Sequence, residues 1–209
     1  MNLIENLQWR YATKKFDSSK KVPSEQIKKL KRAVQLSVSS YGLQLYKVLI
    51  IEDQDLRHKL KPASWGQDQI TDASHLVVFC NYTEVNSSHI NDYLKLKAEK
   101  QSLDFEELKG YGSFMMGKLS EKSAFELEQW TGKQTYIALA NLLIACAELK
   151  IDACPMEGFN PVEYNKILGL SEKGLNASVI ATIGYRSSDD PSQHETKVRK
   201  PTAVLFEEL

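Results

Sequence analysis

A run of apolar residues in a predicted long helix limits the folds that this chain can adopt. The spacing predicts one helix over residues 121–149, and residues 137–146 (IALANLLIAC) are apolar on nearly every face. A helix that is apolar all round must be buried on all sides. A chain of 209 residues rarely builds a core deep enough for that. We therefore expect part of this helix to lie in an interface between two copies of the chain.

The rest of the chain alternates strand-like runs with helical spacing, which is typical of an α+β fold. Strands are predicted at residues 46–52, 75–81, 177–184 and 202–206. The second and third runs are apolar almost throughout, so we expect them to be covered on both faces. Helices are predicted at residues 2–9, 24–39 and 53–61, with another beginning at Pro161. No linker or repeat divides the chain, so residues 1–209 are expected to form one domain.

Residues 86–119 are polar and contain Gly110, Gly112 and Gly117, which predict broken helices with some mobility. Residues 112–118 (GSFMMGK) also match most of a phosphate loop. The next residue is Leu119, where such a loop needs Ser or Thr to bind Mg²⁺, and no strand precedes the match. A bent helix that packs Phe and Met is therefore favoured over a nucleotide-hydrolysing loop.

The charge balance and the cysteines limit the partners and the location of the chain. It carries 27 Lys and Arg against 27 Asp and Glu, which argues against wholesale binding to nucleic acid or an anionic membrane. No run predicts a membrane span or a signal peptide. The cysteines are odd in number and match no zinc spacing, so we expect reduced thiols in a cytoplasmic protein without a metal site. They are Cys80, Cys146 and Cys154.

Two short basic segments stand out because the chain has no net charge. Residues 10–17 (RYATKKFD) follow the first predicted helix, and residues 197–201 (KVRKP) precede the last predicted strand. A phosphate-bearing ligand held between the two ends of the fold would explain both segments. A nucleic-acid-binding module that uses the same basic ends is the weaker alternative.

Two connections have the composition of ligand-binding loops. In residues 152–160 (DACPMEGFN), Pro155 fixes the backbone and Gly158 permits close approach of a ligand to the main chain. The alternative for this segment is a plain helix-to-helix connection. Residues 37–42 (SVSSYG) end a helix with small polar donors and by themselves predict only a C-terminal cap. The scattered histidines leave a Ser-His-Asp triad open as an alternative, although no G-x-S-x-G turn supports it.

Five segments taken together resemble the nitroreductase family of flavoenzymes, in particular its oxygen-insensitive NAD(P)H nitroreductase and dihydropteridine reductase branch. They are RYATKKFD, SVSSYGLQ, TDASHLVVFC, QWTGKQTYIALANLLIACAELKIDACPMEGF and KVRKP. The resemblance keeps their order and covers nearly the whole chain. It implies an α+β fold with a central mixed or antiparallel sheet flanked by helices, and an intertwined homodimer that binds FMN tightly but non-covalently at the subunit interface. It also implies that a helical excursion at about 86–120 lies over the active site.

The resemblance assigns site residues by position. Those implied to bind the cofactor are Arg10, Tyr11, Ala12, Lys14, Ser39, Ser40, Gly42, Gln67, Gln69, Pro155, Met156, Glu157, Gly158, Lys197 and Arg199. The basic members would grip the phosphate, and the serines and Gly42 would come from the partner subunit. The backbone N–H of Glu157 or Gly158 would face flavin N5, with no side chain acting as acid, base or metal ligand. An aromatic, apolar substrate slot would comprise Tyr41, Trp65 and Met116.

The implied activity is an FMN-dependent NAD(P)H oxidoreductase. It would reduce nitroaromatic, quinone or pteridine-like acceptors by ping-pong hydride transfer through flavin N5. Three departures from the family pattern, at Gly42, Gly66 and Gln69, motivate an alternative, which is an FMN-binding storage or sensor protein without efficient turnover. Gln69 stands where relatives have Lys, and a neutral donor near flavin N1 is expected to lower the flavin potential.

Overall fold

The computed structural model describes residues 2–209 and is built on a four-stranded sheet. Its strands are β1 (Tyr46–Ile51), β2 (His75–Tyr82), β3 (Asp152–Met156) and β4 (Leu175–Gly184). Their spatial order is β1-β2-β4-β3, and each neighbouring pair is antiparallel. The sheet is therefore of the antiparallel kind, and the predicted α+β class is confirmed.

The helices surround this sheet. They are α1 (Leu3–Trp9), α2 (Ser24–Gln35), α3 (Gln54–Leu60), α4 (Gln69–Asp72), α5 (Ser87–Gln101), α6 (Phe105–Ser120), α7 (Ala124–Glu148), α8 (Pro161–Leu168) and α9 (Thr202–Leu205). Single 3₁₀ turns lie at Ser40–Gly42, Pro62–Ser64, Ser171–Lys173 and Pro191–His194. Most of the predicted elements are found, although α2 ends at Gln35, four residues before the predicted end.

The two central strands have their side chains buried on both faces of the sheet, as predicted. On β2, Leu76, Val78 and Cys80 point into one apolar cluster and Val77 and Phe79 into another. This alternation follows from the period of two residues in a strand. Helices α2 and α7 cover the face of Val77 and Phe79, and α3 and α8 contribute to the cluster on the other face. The sheet is thus the middle layer of a three-layer domain.

Helix α7 is the predicted long helix, and it is buried on only part of its circumference. Ser123 caps its N-terminus through a capping box with Glu126, which fixes the start at Ala124. Leu139 and Leu142 are buried, whereas Ile137 and Ile144 on the other side are 37% and 41% exposed. The apolar surface therefore exceeds what this protomer covers. Neither α7 nor any other helix within residues 2–209 is long and apolar enough to cross a membrane.

Helices α5 and α6 form the helical excursion, and the prediction that glycines break it is wrong. Gly110, Gly112 and Gly117 all lie inside a continuous α6, and the interruption falls between Gln101 and Phe105. Gly112 serves close packing, because a Cβ at this position would lie 2.7 Å from Leu94 Cδ1 on α5. Glycine costs a helix only about 1 kcal/mol, which the contacts between the two helices offset.

Two other expectations differ from the structure. Residues 202–206 are not a strand, because Pro201 starts a short exposed helix in which the Val204 and Leu205 N–H groups donate to the Pro201 carbonyl at 3.0 and 3.1 Å. Strand β3 was not predicted, because its sequence DACPM contains a proline and is short. Proline is tolerated there since β3 is the last strand of the sheet.

Candidate functional site

The two basic segments meet at one cavity, as the sequence predicts. The cavity has a volume of about 410 Å³ and is formed by residues that follow α1 and residues near the C-terminus. Its lining comprises Arg10, Tyr11, Ala12, Lys14, Ser192, Glu195, Thr196, Lys197, Val198 and Arg199. Six of the predicted cofactor-binding residues are therefore brought together across almost the full length of the chain.

Three cations at this cavity lie close enough to repel one another. Burial and the neighbouring Arg199 lower the pKa of Arg10 from its ordinary value. Burial, Arg10 and Arg199 likewise lower the pKa of Lys197 from 10.5. Within residues 2–209, no ion pair involves any of the three. Such an uncompensated cluster favours an anion with more than one negative charge.

The ammonium of Lys197 also holds the end of α1. Its Nζ donates to the carbonyl oxygens of Leu7 at 2.6 Å, Gln8 at 3.0 Å and, at short range, Arg10. A cation at the C-terminal end of a helix satisfies carbonyls that lack helical partners. Three carbonyls match the three donors of an ammonium group. Lys197 therefore ties the C-terminal segment to α1, and its charge faces the cavity alongside this structural role.

A buried carboxylate orders the loop that carries Arg10 and Lys14. Asp190 Oδ2 accepts hydrogen bonds from the Tyr11 hydroxyl at 2.9 Å and from the backbone N–H groups of Lys14 at 2.8 Å and Lys15 at 3.2 Å. Burial opposes ionisation of Asp190, but these hydrogen bonds outweigh it and hold its pKa below the ordinary 3.8. The same hydrogen bond and burial raise the pKa of Tyr11. The carboxylate thus fixes the loop without neutralising the Arg10 side chain.

Strand β3 runs from the cationic cavity to the rest of the predicted cofactor site. Ala12 forms a parallel bridge with Ala153, so the loop of Arg10 lies along the outer edge of β3. Lys14 Nζ lies 4.0 Å from the Sγ of Cys154, which is buried. The Gln69 side chain also faces this thiol and is 7% exposed. Burial raises the pKa of Cys154, while Lys14 and Gln69 oppose that rise.

The loop after β3 packs against the stretch that contains Trp65 and Gln67. Gln67 Nε2 donates to the carbonyls of Ser64 at 3.0 Å and Gly158 at 2.8 Å. Any Cβ at Gly158 would lie 2.8 Å from the Trp65 ring, so only glycine fits without a shift. Trp65 itself has φ of 57°, a left-handed conformation that a bulky residue rarely adopts, and it is 74% exposed. An exposed aromatic ring is therefore held over the Gly158 backbone.

After β3, the Glu157 side chain is engaged by α7, whereas the Gly158 backbone N–H is available for a ligand. Glu157 Oε1 accepts a 2.7 Å hydrogen bond from the hydroxyl of Tyr136 on α7. Burial and this bond raise the pKa of Tyr136 to about 12. The Gly158 N–H has no acceptor within residues 2–209. A free backbone donor at the edge of a sheet can orient a polar ring edge.

The remaining predicted residues lie away from the cavity in this protomer. In the 3₁₀ turn Ser40–Gly42, the Ser40 N–H donates to Gln134 Oε1 on α7 at 2.9 Å, and Ser39 Oγ accepts from the Gln44 N–H at 2.9 Å. Tyr41 packs against Trp130 with 6.3 Å between ring centroids. Met116 lines a different cavity, between α5 and α6. One protomer therefore brings neither Tyr41 nor Met116 to Trp65.

Arg186 and Asp190 near the cavity were not predicted from the sequence, and Asp152 was predicted only as the first residue of the segment 152–160. Arg186 Nη2 lies 2.6 Å from Asp152 Oδ1, and the Arg186 N–H donates to Asp152 Oδ2 at 2.9 Å. These residues join distant parts of the chain and belong to no sequence motif. The visible signal was only the run SSDDP after a predicted strand, which is also typical of a turn.

The contacts of His75 are structural. His75 Nδ1 lies 2.9 Å from Ser74 Oγ, and His75 Nε2 lies 3.8 Å from Glu52 Oε2. Ser74 is only 1% exposed and already accepts the Val22 N–H, so its hydroxyl is a structural group. In the part of the chain described, residues 2–209, no three His, Cys, Asp or Glu side chains are grouped as metal ligands.

The fold and the site define a class of protein. The structure matches that of YdfN from Bacillus subtilis, a candidate nitroreductase, with a TM-score of 0.89 at 19% identity, over 99% of this chain and 98% of that one. It also matches a candidate nitroreductase of Exiguobacterium sibiricum solved in complex with FMN, with a TM-score of 0.85 at 16% identity, over 100% and 98% of the two chains. The chain therefore has the nitroreductase fold.

The sequence gives the family directly. Residues 7–185 match the profile of the Nitroreductase family. A protein of Staphylococcus haemolyticus, named as a candidate NAD(P)H nitroreductase, is 34% identical over 98% of this chain and 96% of its own length. This chain belongs to the Nitroreductase family, and the predicted resemblance is confirmed.

Proposed function

We propose that this protein is an FMN-dependent oxidoreductase. It takes electrons from NAD(P)H and passes them to nitroaromatic, quinone or pteridine-like acceptors in a ping-pong cycle. The observation that carries the proposal is the cationic cavity between residues 10–14 and 197–199. A relative named for NAD(P)H and a structural neighbour that holds FMN support the choice of donor and cofactor. When bound, FMN supplies the two-electron chemistry at its N5 atom.

The donors at the cavity fit the phosphate of FMN. This phosphate is a dianion, and Arg10, Lys197 and Arg199 give three cations without carboxylate partners in the described chain. Arg10 and Arg199 would bind the phosphate directly. Lys197 would add its charge while it keeps α1 in place. Asp190 holds the loop that carries Arg10, so the backbone at Arg10 need not be reordered on binding.

The residues further along β3 fit the ring of the cofactor. The Gly158 N–H, which has no acceptor within residues 2–209, would orient the ring edge at N5. Gln69 would donate to the pyrimidine edge, and Lys14 would add a positive charge nearby. Pro155 and Met156 would line the ring face, and Trp65 would exclude water above the Gly158 backbone.

A homodimer would complete the site. Exposed apolar side chains on α7 and on the C-terminal segment support an interface between two copies. They include Ile137, Ile144, Val204, Leu205 and Phe206. In such a dimer, Ser39, Ser40, Gly42 and Tyr41 would reach the cofactor of the partner protomer, and the excursion of α5 and α6 with Met116 would cover the substrate slot. The three free, buried cysteines support a cytoplasmic location.

The experiment that tests the function is direct. Purified protein is expected to be yellow, to release FMN on denaturation and to oxidise NADH or NADPH when menadione or nitrofurazone is added. A colourless protein that FMN titration fails to saturate would contradict the proposal. Assaying both nicotinamides against quinones, pterins and nitroaromatics would then identify the preferred donor and acceptor.

The buried Gln69 gives a second candidate function. Its neutral amide would lie where a cation would favour reduced flavin, so the flavin potential is expected to be low. A low potential would suit an FMN-storage or sensor protein. Stopped-flow mixing with NADH and NADPH separates the two functions, because a storage protein would keep its flavin oxidised for seconds.

A further inference from the structure

Arg186 contacts both sequence neighbours of Arg10. Its Cζ lies 4.5 Å from the centroid of the Trp9 ring and 4.6 Å from that of the Tyr11 ring. Both distances are within the range of a cation–π contact. Trp9 is the last residue of α1, and Tyr11 lies two residues on, with Arg10 between them. One guanidinium therefore holds the two side chains that flank the arginine at the cationic cavity.

The position of Arg186 is itself fixed by β3. Its Nε donates to Asp152 Oδ1 at 2.8 Å, and its backbone N–H donates to Asp152 Oδ2 at 2.9 Å. The Asp152 side chain is 5% exposed and that of Arg186 is 22% exposed, so water screens this pair only in part. A planar guanidinium held at its edge by a carboxylate leaves its faces free to stack on aromatic rings.

Arg10 has no such support of its own. Its guanidinium donates no hydrogen bond within residues 2–209, so the direction of its side chain depends on its backbone. That backbone is held by Lys197 at the Arg10 carbonyl and by Asp190 at the Tyr11 hydroxyl. Arg186 adds the contact that fixes both flanking rings at once.

We infer that Arg186 is a positioning residue that aims Arg10 at the phosphate of the cofactor, an inference that rests on the proposed function. Its own charge is compensated by Asp152, so direct attraction to the phosphate is a smaller part of its effect. An arginine held in advance loses less side-chain freedom when the anion binds. The effect of Arg186 should therefore be specific for the phosphate and should act through Arg10.

Two mild substitutions test this role. Arg186→Lys keeps the positive charge but loses the planar face, and Trp9→Leu keeps the total charge but removes one ring. Fluorescence titration of the flavin-free protein should show FMN Kd raised about fivefold by Arg186→Lys and about threefold by Trp9→Leu. The Kd for riboflavin, which lacks the phosphate, should stay within about twofold. Arg32→Lys on the exposed face of α2 is the matched control and should change neither value.

Each substitution is then repeated in the Arg10→Ala background. If Arg186 acts through Arg10, its effect on FMN Kd should shrink to less than about twofold there. The inference would be overturned if each substitution raised FMN Kd by the same factor with and without Arg10→Ala. It would also be overturned if each weakened the binding of FMN and of riboflavin equally, which would indicate a general effect on the fold. FMN Kd unchanged in both variants would overturn it too. Wild-type protein that binds no FMN would instead contradict the proposed function. If one variant fails to fold, the other decides the result.

Discussion

The cationic cavity and the serine turn Ser39–Gly42 carry two halves of the same predicted site, yet they differ in how complete they are. The cavity gathers Arg10, Lys197 and Arg199 within one protomer, and Asp190 fixes the loop that carries Arg10. The serine turn packs on α7 through Gln134 and contributes nothing to the lining of that cavity. One half is thus assembled by the fold of a single chain, and the other lies apart from it in this protomer.

The cavity and the serine turn are also held by different kinds of contact. The cavity depends on contacts between residues distant in sequence, such as Tyr11 with Asp190 and Asp152 with Arg186. The serine turn depends on one helix, α7, whose apolar surface is only partly covered. Substitutions at the cavity should therefore change the stability of the protomer and its affinity for the FMN phosphate. Substitutions at the serine turn should change the stability of the protomer only modestly.

The largest effect is expected from Asp152→Ala. Removing this carboxylate leaves Arg186 partly buried without its partner, which should lower the free energy of unfolding by about 3 kcal/mol. Urea denaturation, monitored by circular dichroism, measures this loss in the free energy of unfolding. Glu25→Ala breaks the exposed Lys28–Glu25 pair and should cost less than about 0.5 kcal/mol. Equal losses in the two variants would contradict a framework role for Asp152.

A smaller effect, on binding rather than folding, is expected from Arg10→Ala. It should weaken FMN binding by about 1.5–3 kcal/mol, the usual contribution of a hydrogen bond to a charged group. The free energy of unfolding should barely change, because the Arg10 side chain makes no hydrogen bond within residues 2–209. Arg32→Ala on α2 is the control. Unchanged FMN affinity would remove Arg10 from the phosphate site.

The serine turn is probed by Gln134→Ala. This change leaves the Ser40 N–H without its acceptor and should cost about 1 kcal/mol of stability. Gln129→Ala, at an exposed position of the same helix, should be neutral within about 0.5 kcal/mol. Gln134→Ala should leave the affinity of the monomer for the FMN phosphate unchanged. A large loss of phosphate affinity in monomeric protein would show that the two halves are already joined.

The smallest effect concerns pH. The pKa of Asp190 is lower in the folded protein than its ordinary 3.8, so the ionised carboxylate favours the folded state above that value. This contribution is lost as the pH falls through the lowered pKa. Asp190→Asn should therefore flatten the acid limb of the plot of unfolding free energy against pH below about 4. An acid limb as steep as that of wild type would assign the titration to other carboxylates.

The elements that could be predicted from the sequence are those determined by residues close together in the chain. Strands β2 and β4 are continuous apolar runs, α7 follows from its spacing, and the basic segments stand out in a neutral chain. Strand β3 escaped prediction because its partner β4 begins 19 residues after it ends, and Pro155 is typical of loops. Arg186 and Asp190 escaped because their partners are far along the chain, and no local pattern marks a long-range pair. The glycines of α6 misled because a helix tolerates them at modest cost, and one of them, Gly112, serves close packing against α5.

The central claim is that the two ends of the chain grip the phosphate of FMN. Calorimetric titration of flavin-free protein with FMN and with riboflavin tests it most directly, because the two ligands differ only in that phosphate. Two hydrogen bonds to charged groups predict that FMN binds at least about a hundredfold more tightly than riboflavin. Equal affinity for the two flavins would contradict the account.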